Sequence, residues 1–278
     1  MSRAFIIPSE RGEVKLRHRF TLFYGPATLR PCAHLAPRRR RPDQLHTLQT
    51  ILLVAPILLF SVIAHEIAHG YAALKQGDRT ALEAGRLSWN PVKHIDPYLT
   101  ILLPLIMFSG SSMFGRSVIF GGAKPVPVDP RNYRNIKRGD IIVSLAGVAT
   151  NLLIGLACGV AIIGVGVLGR TAPALDPTIG ILQAMMAWGV ILNFSLIAFN
   201  LLPIPPLDGS HVMKYLLPRP LAIRYVQFGR YGMIVLVLLL FVGQRVLQAW
   251  FYPASIAIER ILDAATPYLV PSAAQWFQ

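Results

Sequence analysis

Acidic residues are scarce in this chain: thirteen Asp and Glu stand against twenty-seven Lys and Arg, and the charged types together make up only 14% of 278 residues. A soluble globular domain carries about 25% charged residues, so that class is excluded. A mean hydropathy of +0.51 and 54% hydrophobic residues place the chain among integral membrane proteins. Cysteine is nearly missing too. Cys32 lies in a polar stretch and Cys158 in an apolar one, which excludes a disulfide framework. No secretory leader is visible, because the first long apolar run carries histidines and lacks a small-residue cleavage site. Internal repeats are absent as well.

What charge there is lies unevenly. Before Thr47 there are ten Lys and Arg against three acids, a surplus of seven out of a formal +14. Residues 1–46 show no sustained apolar period and are expected to form a basic, disordered tail. Its Arg38 to Arg41 run is better suited to anionic lipid beside a first span than to nucleic acid. Residues 47–252 form the expected membrane core, and residues 253–278 a C-terminal interfacial helix or tail.

Four runs reach the roughly 20 apolar residues that a crossing helix needs. They are Leu48 to Leu74, Ile141 to Leu168, Ile179 to Leu202, and Tyr231 to about Trp250. A fifth, Pro97 to Phe108, is short, contains Pro104, and reads as re-entrant or interfacial. Between Ser117 and Asn132, Gly-Gly and alternating Val-Pro exclude a helix and predict extended pieces. Such backbone survives at membrane depth only against protein or a wet cavity. Gly155 and Gly159, four apart, predict a close helix-packing face. The expected fold class is thus an all-α polytopic membrane protein with four to five transmembrane helices and a small membrane-embedded β-loop or re-entrant segment.

Of the acids, Glu66 alone lies inside a predicted span, and Asp208 sits just beyond the end of another. Ionisable groups in a bilayer cost about 2.5–3.5 kcal/mol each even on the milder scale and mark functional positions. His65 and His69 are one helical turn apart and project from one face, so they can hold one metal ion. Glu66, directly after the first histidine, is rotated away from ligation but within reach of a water on that ion. This is the His-Glu-x-x-His pattern of zinc hydrolases. A catalytic zinc takes three protein ligands, and Asp208 is the best candidate for the third, although Asp208-Gly209 also fits an ordinary turn. His211 is the next choice. Asn193 and Asn200, seven apart, share a helix face suited to a polar seam.

"HEIAH" in one span and "NLLPIPPLDG" at the end of a later one resemble the site-2 protease family of intramembrane zinc metalloproteases, in its compact form without a PDZ domain. "FGGAKPVPVDPRNYRN" is similar to that family's membrane-embedded β-loop, and "LAGVATNLL" to its Ala-Gly-Pro-x-x-Asn helix start, with Val148 in place of the usual proline. The resemblance implies His65, His69 and Asp208 as ligands of one Zn2+, Glu66 as the catalytic residue, and Asn200 and Asn151 as supporting polar groups. It further implies that Phe120, Gly121, Gly122, Val126 and Val128 pair with an unwound substrate strand. The partners implied are a membrane protein substrate helix and the lipid bilayer, not nucleic acid; oligomeric state is left open. A non-catalytic membrane zinc-binding protein is the alternative.

One zinc held by His65, His69 and Asp208 requires the first and third long spans to run in the same direction, which predicts that Pro97 to Phe108 does not cross. The loops Lys75 to Pro97, Arg116 to Arg138 and Pro203 to Arg230 then share a face with fourteen Lys and Arg, against Arg170 alone in the Gly169 to Thr178 turn. By the positive-inside rule that face is cytoplasmic, in the plasma membrane, although the basic amino-terminal tail then falls outside.

Overall fold

The computed structural model describes residues 5–8, 14–17, 44–94 and 124–276. The Pro97 to Phe108 segment, Phe120, Gly121, Gly122, Cys32 and Arg38 to Arg41 lie outside the described residues. In the tail, expected to be structureless, β1 (Phe5–Pro8) pairs antiparallel with β2 (Val14–Arg17), with Phe5 opposite Arg17 and Pro8 opposite Val14. Ile6, Ile7 and Val14 give these two runs the β-branched content that strands favour.

Beyond the tail the described chain is helical. Its elements are α1 (Gln44–Gln76), α2 (Thr80–Glu83), α3 (Ile136–Thr171), α4 (Asp176–Asn200), α5 (Asp208–Leu216), α6 (Arg219–Phe228), α7 (Gly232–Phe241) and α8 (Gln244–Ala265). Four stretches are long and apolar enough to cross a membrane: Gln49–Gln76, Ile136–Thr171, Pro173–Asn200 and Arg219–Phe241. Large apolar side chains stand in the open along them, Leu52 at 64%, Leu153 at 68% and Val160 at 71% exposure. Scattered over long helices, such exposure suits contact with lipid tails and not with water.

Two of the predicted boundaries need correction. The fourth run, Tyr231 to about Trp250, is not one helix: α7 ends at Phe241 and α8 begins at Gln244, with the low-propensity Gly243 between them. The expected boundary at residue 252 falls within a helix, because α8 continues through Pro253 to Ala265. Proline deletes one backbone hydrogen bond, yet the helix is packed on both sides of it, by buried Leu247 before and buried Ile258 after.

The chain divides into two units. The first comprises residues 1–57, 157–191 and 255–278, the second residues 58–156 and 192–254. In the first, Ile179, Val270 and Ala273 form a small core, and the fully buried Gln183 pins the C-terminal segment. Its amide donates to the carbonyls of Ile162 (3.0 Å) and Tyr268 (2.9 Å) and accepts from Val270 N–H (3.0 Å). Gly159 faces Ile261 of α8 in this unit.

The second unit carries the predicted site residues. Leu202, Leu207, Leu236 and Leu247 make one core, and Ala73, Tyr133 and Val143 another. Asn193 of α4 donates to Ser61 of α1 at 2.9 Å, both fully buried, which is the polar seam expected for Asn193. Gly155 lets α3 approach Phe194 of α4. Helix α1 stops in a Schellman turn: Asp78 N–H donates to the Ala73 carbonyl and Gly77 N–H to that of Leu74, with Gly77 at φ +111°. A side chain at Gly77 would be strained there and would press on the Asn132 carbonyl. Arg134 N–H donates to the Gln76 carbonyl at 2.9 Å, so the chain entering α3 returns to the point where α1 ended.

Candidate metal centre

His65 and His69 come together because α1 is unbroken between them, their rings meeting edge to face at 4.6 Å. Their Nε2 atoms are 2.9 Å apart. Asp208 opens α5, directly after the stretch in which Pro203, Pro205 and Pro206 end the preceding helical path. Its Oδ2 lies 3.2 Å from Nε2 of His65 and 3.4 Å from Nε2 of His69. The three side chains are largely withdrawn from solvent, at 8%, 12% and 17% exposure.

These distances fit one tetrahedral ion. Nitrogen and oxygen ligands about 2.0–2.1 Å from zinc lie about 3.3 Å from one another, close to the three separations found. Asp208 Oδ2 is buried without a hydrogen-bond donor, a costly state for a carboxylate oxygen unless a cation takes its charge. Among the described residues, His65, His69 and Asp208 form a group able to hold a metal.

Helix α3 prepares both histidines. The Val143 carbonyl accepts from Nδ1–H of His69 at 2.7 Å, which fixes the tautomer and leaves Nε2 with its lone pair toward the site. The fully buried Asn151 amide lies 3.1 Å from Nδ1 of His65, its Oδ1 having no partner. Ligation through Nε2 requires a proton on Nδ1, and Asn151 meets that need by presenting Oδ1 instead of its amine, a half-turn of the amide. Between these two contacts lies Gly147. A methyl group there would stand 2.6 Å from Nε2 of both histidines, inside the space the ion needs.

Glu66 is not part of the ligand group. Its Oε2 accepts the Val126 backbone N–H at 2.9 Å, which leaves Oε1 for other work. Val126 is buried with its N–H given to Glu66, and Val128 packs on the Ala73, Tyr133 and Val143 core. Asn200 is tied to its own helix. Its amide donates to the Leu196 carbonyl at 3.1 Å. His211, the second choice for third ligand, faces away, with Nδ1 3.1 Å from Asp140 Oδ1.

Two charged residues without a predicted role matter here. Asp140, only 3% exposed, ties α5 to α3 by accepting from His211, from Tyr215 OH at 3.0 Å and from Lys214. It lies inside α3, four residues into a helix that begins before the apolar run does. Asp78, fully buried, is the other.

Residues 53–240 match the model of peptidase family M50, about two thirds of the chain. The chain belongs to that family. This M50 member is also 37% identical over 182 residues to the Bacillus subtilis (strain 168) protein named "Putative zinc metalloprotease YwhC", covering 66% of this chain and 77% of that one. It is 29% identical over 201 residues to the Mycolicibacterium smegmatis protein "Putative zinc metalloprotease Rip2", covering 72% and 70%. The Rip2 of Mycobacterium tuberculosis H37Rv is 27% identical over 194 residues, covering 70% and 68%. No solved structure matches. Family and donor set agree: the M50 protein is a zinc metalloendopeptidase of the membrane, as the site-2 protease resemblance implies.

Proposed function

We propose that this M50 peptidase hydrolyses peptide bonds of membrane-spanning or membrane-associated protein segments at the His65, His69 and Asp208 centre, with Glu66 as its acid-base residue. The observation that carries the reading is the place of the two histidines of the donor set, on α1 within a stretch apolar enough to cross a membrane, with Asp208 brought to them from the start of α5. A zinc ion bound there supplies Lewis-acid polarisation of a carbonyl and of water. The protein's own residues do the rest. His65 and His69 are oriented through Nδ1 by Asn151 and Val143. Glu66, pinned through Oε2, offers Oε1 to take a proton from the attacking water and return it to the leaving amine. Isolation of the site from bulk water strengthens each of these interactions.

The substrate is a transmembrane helix unwound locally, because a helical carbonyl keeps its hydrogen bond and resists attack. The site faces the cytoplasm of a cell whose plasma membrane holds the protein, a placement supported by the lysine and arginine bias of the loops on the site's side.

The test measures zinc stoichiometry and cleavage of a single-span membrane protein. Ala at His65, His69 or Asp208 is expected to lose the metal, while Glu66→Gln keeps it and loses at least about a hundredfold in turnover. Full zinc in the native protein without cleavage of several such substrates would favour a non-catalytic zinc-binding role. Stoichiometric zinc in Asp208→Ala would overturn the ligand assignment.

A further inference from the structure

We infer that Asp78 is a positioning residue for Glu66, acting through the loop Lys124 to Asn132; this rests on the proposed acid-base role of Glu66. Among the described residues, the Val126 N–H to Oε2 bond of 2.9 Å is what joins that loop to the Glu66 carboxylate. The sequence isolates this donor. Pro125 and Pro127 flank it and carry no N–H, so between Lys124 and Val128 only Val126 can donate from the backbone. A single bond from a non-helical loop positions a carboxylate only as well as the loop itself is held.

Asp78 holds it. The side chain has no exposed surface, and its two oxygens serve both banks of the gap between α1 and the loop. On the α1 side, Oδ1 accepts from Thr80 N–H at 3.0 Å and from the Thr80 hydroxyl. On the loop side, Oδ2 accepts from Asp129 N–H at 2.7 Å and Oδ1 from Asn132 Nδ2 at 2.9 Å. Burial would raise its pKa, but the donors from Thr80, Asn132 and Asp129 outweigh that and hold it below the usual carboxylate range. At the loop's other end, Arg86 donates to the Lys124 carbonyl at 2.9 Å and Lys124 N–H to that of His94 at 2.8 Å.

Asp78 also sits at the second residue beyond α1, in the Schellman turn, nine residues after the helix has placed His69 and thirteen after His65. One helix therefore sets the two histidine ligands, and the buried carboxylate at its end sets the distance to the loop that restrains Glu66. Bonds to a charged acceptor are about twice as strong as neutral ones, which suits Asp78 to fix a segment that has no helical ladder.

The experiment compares Asp78→Asn, Val126→Pro and their double variant in the full chain with zinc bound, using a fluorescently tagged single-span membrane protein in detergent as probe. Asp78→Asn and Val126→Pro are each expected to lower kcat about tenfold to a hundredfold, with KM and zinc stoichiometry changed less than twofold. The double variant falls no further than Val126→Pro alone, because both remove one restraint. Val126→Ala, which keeps the N–H, restores most of the turnover. Amide exchange supplies a readout independent of cleavage: Asp78→Asn and Glu66→Gln both accelerate exchange at Val126 about tenfold, at unchanged exchange in α3.

Multiplicative loss in the double variant, or native kcat in Asp78→Asn, overturns the inference. Should Asp78→Asn fail to fold, Asn132→Ala removes one of the same anchors, and native kcat together with native Val126 exchange in that variant overturns the inference equally. Failure of the proposed function looks different: native protein loaded with zinc cleaves nothing, while the exchange coupling of Asp78, Val126 and Glu66 persists.

Discussion

At the scale of single residues the centre depends on what faces the histidines from behind. An imidazole binds a metal through Nε2 only while Nδ1 keeps its proton, and the Val143 carbonyl guarantees this for His69 because a carbonyl can only accept. Asn151, whose amide lies against Nδ1 of His65, can do the same there once its oxygen is turned inward, so Asn151→Leu is expected to weaken zinc binding about 10- to 100-fold, measured by competition with a chelator. Gly147 gives a sharper case. In a helix, Gly→Ala normally stabilises by roughly 0.5–1 kcal/mol. Here the added methyl would stand 2.5–2.6 Å from ring atoms of His65 and His69. Gly147→Ala is therefore expected to lose zinc and activity while thermal unfolding of the metal-free protein stays level or rises. Retention of stoichiometric zinc would show that α3 withdraws, and that the glycine is not there for space.

At the scale of elements, α3 works as one stripe. Val143, Gly147 and Asn151 recur every four residues, give His69 a carbonyl, the ion its room and His65 an amide, and continue into Gly155 and Gly159 on the packing face. Asp140 begins the stripe and turns it toward α5, whose first residue is Asp208. Asp140→Ala leaves the Lys214 ammonium and Tyr215 hydroxyl without their acceptor, which is expected to cost about 1–3 kcal/mol and to lower zinc affinity by loosening Asp208. Calorimetry of the metal-free and zinc-loaded forms separates the two effects; equal destabilisation of both forms would mean that α5 placement and the metal are uncoupled.

The same elements show what a sequence can disclose. His65, Glu66 and His69 are legible because four residues of helix decide their geometry, and Asp208 because prolines announce where a helix must stop. Asp78 is not legible. A single acid after Lys-Gln-Gly looks like the polar end of a span, and its four donors come from Thr80, Asp129 and Asn132, two of them some fifty residues away. Val126 was legible as extended chain but not as a partner of Glu66, since alternation of Val and Pro gives a backbone shape without saying which acceptor its one donor meets. The continuity of α8 through Pro253 is hidden for the opposite reason: proline breaks an isolated helix, whereas packing on both flanks carries this one through.

At the scale of the whole molecule the decisive quantity is direction. Within the second unit Ser61 of α1 meets Asn193 of α4, and further along both paths His65 and His69 meet Asp208, so α1 and α4 run the same way. Helix α3, 36 residues and about 54 Å long, is the return crossing between them. Its Ile136 end adjoins Gln76 through Arg134, and therefore lies on the side of Thr80–Glu83, while its Thr171 end leads into the Gly169 to Thr178 turn. In the proposed orientation, the bias of fourteen Lys and Arg to one assigns the first side to the cytoplasm by the positive-inside rule, against the pull of the basic tail. Single cysteines at Glu83 and Ala174, both exposed, in a Cys32→Ser, Cys158→Ser background decide the matter with a membrane-impermeant maleimide. Ala174→Cys is expected to label in intact cells and Glu83→Cys only in inverted vesicles. The reverse pattern would put the centre outside and show that the amino-terminal arginines govern insertion. Labelling of both from one face would deny that α3 crosses at all, and with it the parallel run of α1 and α4 that lets one ion reach His65, His69 and Asp208.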